Sequence, residues 1–144
     1  MISSHNSEIL SMRGSFQHCN YLKNLTIKGF TIYNNMSEML YFCYSLKNVE
    51  FSDINIDSVT DMSYMFCDCH GFKNLNLSSF NTRSVTKMNF MFFGCYNLFS
   101  LDLSNFNTSL VTTMEGMFTE SQRLQNLNLS HFDVSLVTNM KKDV

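Results

Sequence analysis

One 26-residue phrase governs this chain, and the fullest copies read Leu-x-x-Leu-x-Leu-Ser-x-Phe-Asn-Thr-x-x-Val-Thr-x-Met-x-x-Met-Phe-x-x-Cys. The methionine that opens its Met-x-x-Met element recurs at Met36, Met62, Met88, Met114 and Met140. A fixed period of this length marks a solenoid, in which each repeat is one coil and neighbouring coils bury each other's apolar face. The 144 residues then make about five and a half coils of a single domain, with no internal boundary. The expected divisions are a partial N-terminal coil (1–21), full coils at 22–45, 46–71, 72–97 and 98–123, and an incomplete C-terminal coil at 124–144. From Leu22 to Leu46 the step is two residues shorter than the later ones, and the deficit falls between Phe30 and Met36.

Within a coil, pairs such as Leu75/Leu77 and Leu101/Leu103 alternate with polar residues, the period of a strand with one face inward. A Ser-x-Phe turn follows. Next come Val59-Thr60, Val85-Thr86, Val111-Thr112 and Val137-Thr138, whose β-branching favours a second short strand. Met-x-x-Met-Phe-x-x-Cys then sets apolar residues at i, i+3, i+4 and i+7, which predicts a short helix. The expected fold class is therefore α/β: a leucine-rich-repeat-like solenoid whose coils each hold a strand, a turn, a second short strand and a short helix. The complete absence of proline suits coils that use their backbone donors on one another.

The phrase from Leu75 to Cys95 closely resembles the 26-residue repeat of bacterial surface proteins, the BspA-like leucine-rich repeat proteins. The likeness runs from about Ile9 to Met140. It implies a cell-surface or secreted protein used in adhesion, and it brings no catalytic residue with it. The chain shows neither an export signal nor an anchor, which leaves the cytoplasm open as a location. No run of 18 apolar residues occurs, so no membrane span is expected. A net charge of -2 and a pI near 6.0 give no reason to expect nucleic acid.

Groups that could carry chemistry fall into the repeat. Cys19, Cys43, Cys69 and Cys95 share one position, taken by Ser121 in the next coil, and read as a small buried column. Cys67 stands outside it. With Cys69 and His70 it forms the tract Cys67-Asp68-Cys69-His70, the basis of a metal–thiol reading that ranks third, and Cys67 is expected to be free and partly exposed. The methionines read as core fillers. His5, His18, His70 and His131 pair with no nucleophile at a recognisable spacing, and five glycines leave little for a phosphate cradle. The expectation is a chain without catalysis, cofactor or resident metal. Thr60, Thr86, Thr112 and Thr138 are expected to form a polar ladder along the axis, and Asn24, Asn48, Asn74 and Asn126 another.

Function is sought where the repeat varies. Lys23, Lys47 and Lys73, continued by Phe99 and Gln125, form a basic row beside a row holding Glu50 and Asp102. On the predicted helix side the variable sites are aromatic: Tyr41, Tyr44, Tyr64, Phe90, Phe93 and Tyr96. Exposed rings are common anchors of interfaces. These residues mark the candidate surface of a non-catalytic binding module whose partner is a protein or other macromolecule at a cell surface. The alternative is a spacer, one piece of a longer array whose uncapped C-terminal coil associates end to end.

Overall fold

The computed structural model describes residues 2–140. The incomplete last coil is thus seen only as far as Met140. The fold is a β-solenoid of about five coils. Among the described residues there is no helix, which corrects the expected α/β class.

Among the described residues seven parallel strands make the walls. They are β1 (Ile2–Ser11), β2 (Asn24–Asn35), β3 (Asn48–Ser52), β4 (Asn55–Asp61), β5 (Asn74–Leu75), β6 (Ser100–Leu101) and β7 (Asn126–Leu127). One sheet runs β1-β2-β3, with β4 also paired to β2; the other runs β5-β6-β7. Coil-to-coil contacts span 24 residues early in the chain, as from Asn24 to Asn48, and 26 later, as from Thr60 to Thr86. Isolated bridges Asp61–Lys87, Lys87–Thr113 and Thr113–Asn139 extend the β4 wall through the later coils.

Strand length tracks local chemistry. The long strand β2 is rich in β-branched residues and pairs on both of its halves. In later coils Asn76, Asp102 and Asn128 each accept a hydrogen bond from the N–H two residues on, at Ser78, Ser104 and Ser130. Asn81, Asn107 and Asp133 do the same for Arg83, Ser109 and Ser135. These Asx turns offer the backbone an alternative to the ladder, so β5, β6 and β7 shrink to two residues each.

At the Met-x-x-Met corner the expected helix is replaced by a chain of tight turns. The N–H groups of Met39, Tyr41 and Cys43 donate three residues back, to the carbonyls of Met36, Glu38 and Leu40. Those of Glu38, Leu40 and Phe42 donate instead to Ser63, Met65 and Cys67 of the next coil. A helix would need every one of these donors within itself. Two residues per corner adopt the left-handed conformation, as Glu38 and Phe42 do at φ 58° and 59°, and Tyr64 and Asp68 at 59° and 57°. The i, i+3, i+4, i+7 spacing records which side chains face inward, and the corner honours it: Met36, Met39, Leu40 and Cys43 are all buried.

The interior is a set of columns. Phe66, Phe92 and Phe118 stack with centroids 5.6 and 5.8 Å apart and planes 3° from parallel. The methionine, valine and leucine columns surround them. The expected threonine ladder is present: Thr60, Thr86, Thr112 and Thr138 each donate a hydroxyl to the carbonyl one coil before, at 3.1–3.2 Å. Of the asparagine column, Asn48 donates to Asn24 at 2.7 Å.

Candidate binding surface

Cys19 is half-buried and the other four thiols are buried. Cys43, Cys69 and Cys95 are buried, and each donates its S–H to a carbonyl of the preceding coil, Phe16, Leu40 and Phe66, at 3.0–3.2 Å. Ser121 makes the same contact to Phe92 at 2.6 Å, which explains why a hydroxyl can stand in the column. Burial raises the Cys43 thiol to about 11 and the Cys95 thiol to about 12.

Cys67 overturns its expected exposure. It is only 3% accessible, and its thiol donates to Asp68 Oδ2 at 3.4 Å. Desolvation, then the Asp68 charge beside it, drives its pKa far up. The equivalent residues of other coils, Tyr41, Phe93 and Thr119, are half-buried. Asp68 also holds His70 Nε2 at 3.2 Å. Among the described residues no group of three or more His, Cys, Asp or Glu side chains is placed to hold a metal ion. The side chain of His5 lies outside the described residues.

The aromatic candidates separate into two rows along one corner. Tyr41, Tyr64, Phe90 and Phe93 are half-buried and pack on one another, with centroids 6.0 Å apart for Tyr41–Tyr64, 5.0 Å for Tyr64–Phe90 and 5.9 Å for Phe90–Phe93. Burial raises the Tyr41 and Tyr64 phenols. The second row is Tyr44, His70 and Tyr96, at 4.8 and 4.7 Å between successive rings, with both tyrosines exposed. His70 joins this row unannounced by any aromatic pattern in the sequence.

Lys23, Lys47, Lys73 and Phe99 stand exposed in successive coils, tied by the backbone bonds Lys47 N–H to Lys23 and Phe99 N–H to Lys73. Two adjoining depressions share Lys73: one is walled by Lys47, Asn48, Gly71 and Asn74, the other by Asn97, Phe99, Arg123 and Gln125. Tyr21 precedes Lys23 as Asn97 precedes Phe99 and Arg123 precedes Gln125, and it is 95% exposed. Glu50 and Asp102 occupy a neighbouring exposed column, and Asp102 is held below the usual carboxylate pKa by the Ser104 N–H and hydroxyl.

The pairing of the cations sorts them by place. Arg13, Lys28, Arg83 and Lys87 each have a carboxylate within 4.0 Å: Glu38, Asp53, Asp57 and Asp61 respectively. Among the described residues Lys23, Lys47, Lys73 and Arg123 have none, and all four lie on this one corner. Ammonium groups one strand spacing apart repel by up to about 1 kcal/mol in water. Arg123 reaches the Asn97 amide oxygen at 3.1 Å, a neutral partner. Tyr21, Asn97 and Arg123 escaped sequence reasoning, because no repeated residue type marks their column.

A stack of parallel coils in which each contacts only its neighbours is a repeat protein of the scaffold class. The chain belongs to the family described as "Mycoplasma protein of unknown function, DUF285", whose model matches residues 10–98 and again residues 31–143. No curated protein and no solved structure matches it.

Proposed function

We propose that this chain is a non-catalytic binding module that engages a macromolecule along its cationic corner. The single observation that carries the reading is the segregation of charge: among the described residues four cations have a carboxylate partner, while four more share one corner without one. Scattered surface lysines need no explanation; an unpaired row supplies electrostatic complementarity to a partner. The likeness of the repeat to BspA-like surface proteins favours adhesion outside the cell.

The test is a screen of the immobilised chain against arrays of defined peptides and defined glycans. The reading expects ligands whose retention is lost in the double variant Lys47→Glu/Lys73→Glu and kept in Arg83→Ala. Arrays that yield no such ligand would refute it.

A second reading, a spacer that stacks on further coils, is favoured by the open face after residue 124. Leu129, Val134 and Met140 are 38%, 44% and 50% exposed, although Leu103, Ile56 and Met88, in the same columns, are fully buried or nearly so. Solution mass that grows with concentration, and stops growing in Leu129→Asp/Val134→Asp, would favour this reading over the first.

A further inference from the structure

We infer that the cationic corner is built for a linear anionic glycan lying along the solenoid axis; this rests on the binding-module reading and names its partner class. Three features converge. Lys23, Lys47 and Lys73 stand in successive coils, one strand spacing of about 4.8 Å apart, so the row is a ruler and not a pocket. A small anion spans one or two such steps, and a chain-like ligand following the axis spans all three. Lysine ammonium groups are compact point charges that tolerate carboxylate or sulfate without demanding a planar fork.

The uncharged residues of the corner choose among polyanions. Exposed rings stand at both ends of the lysine row, Tyr21 before it and Phe99 after it. Between and beside them lie the amides of Asn48, Asn74, Asn97 and Gln125, which line the same two depressions. Amides donate to and accept from hydroxyl groups, and an aromatic face packs on the C–H face of a sugar ring. Gly71 also lines one depression, where a Cβ would collide with the Leu46 carbonyl of the preceding coil.

A single-stranded nucleic acid fits less well. It needs rings on which successive bases stack, and here the two rings are separated by the whole lysine row. A chain of acidic residues alone has no apolar ring face to set against Tyr21 and Phe99. Glu50 and Asp102 lie in a neighbouring column.

The experiment measures affinity of the full chain for polygalacturonate, dextran sulfate, neutral dextran, poly(dT) and polyglutamate over a range of salt. The expected result is binding of polygalacturonate, dextran sulfate or both, which tells carboxylate from sulfate, and none of neutral dextran. Lys47→Gln/Lys73→Gln should lower the affinity at least about tenfold and reduce the slope of log affinity against log salt by roughly two. Phe99→Ser should weaken binding about three- to tenfold. Lys28→Gln/Lys87→Gln, which removes two cations paired elsewhere, should leave it unchanged, and all variants should keep the parent circular dichroism.

Three results would overturn the inference: retention of neither anionic glycan, an equal loss in the Lys28/Lys87 control, or poly(dT) or polyglutamate bound as tightly as the glycans. Failure here together with array ligands that need Lys47 and Lys73 removes the glycan and keeps the binding module. Failure here with no array ligand removes both.

Discussion

Cys95 shows how much of this fold rests on single donors. Its thiol is buried and points at the Phe66 carbonyl, and Ser121 performs the same task one coil on. Cys95→Ser should therefore lower stability by less than about 1 kcal/mol, whereas Cys95→Val, which keeps the bulk and loses the donor, should cost about 1–3 kcal/mol. Urea unfolding of the two variants checks this. The same column sets a pH dependence. The folded thiols titrate near 11 for Cys43 and 12 for Cys95, above the ordinary 9.0, so the unfolded chain loses these protons first as pH rises. Their contribution is complete below pH 9 and is lost progressively from there through the folded values. The urea midpoint should hold from pH 7 to about 8.5 and then fall, with Tyr41 and Tyr64 acting in the same direction. A triple variant, C43S/C69S/C95S, should fall less steeply; an equal fall would remove the thiols as the cause. Although Cys19 in the first coil is only half-buried, the burial of this column at Cys43, Cys69 and Cys95 was legible from its composition. Its hydrogen-bonding role was not, because Cys and Ser share a donor that a hydropathy pattern does not record.

Among the elements, the Met-x-x-Met corner separates what a pattern can say from what it cannot. Periodicity identified the buried apolar residues from Met36 to Cys43, though not the buried Ser37, since it is a statement about apolar side-chain direction. It misjudged the backbone, because alternate N–H groups bond along the axis and a lone repeat does not reveal its neighbour. The left-handed residues were hidden too, for few of them are glycine. Gly116 is one of the few, at φ 62°, and a Cβ there would collide with the Phe90 ring of the preceding coil. Gly116→Ala should destabilise the chain by about 1–3 kcal/mol. Combined with Phe90→Leu it should be less harmful than the sum of the two changes, since the smaller side chain opens the space. Strict additivity in thermal or urea unfolding would place the cost in backbone conformation alone. The cationic corner was legible in its lysines and in Phe99. Arg123, Asn97 and Tyr21 join it only through the stacking of coils.

At the scale of the whole molecule, position along the axis decides how well a residue is buried. The columns are closed in the middle and open after residue 124, so the same change should be felt more at Leu103 than at Leu129. Leu103→Ala should cost about 2–5 kcal/mol and Leu129→Ala less than half of that, measured by urea unfolding. Bonds between coils point both ways: Lys47 N–H reaches back to Lys23, while Glu38 N–H reaches forward to Ser63. Every coil is thereby clasped to the next by walls and corner together, and little holds a coil to anything beyond its neighbours. Under tension applied to its two ends, such a molecule yields from an exposed end like tape from a roll. Each 26-residue coil released would lengthen the chain by roughly 90 Å, giving a force trace of evenly spaced teeth and a tether that gives ground stepwise before it parts.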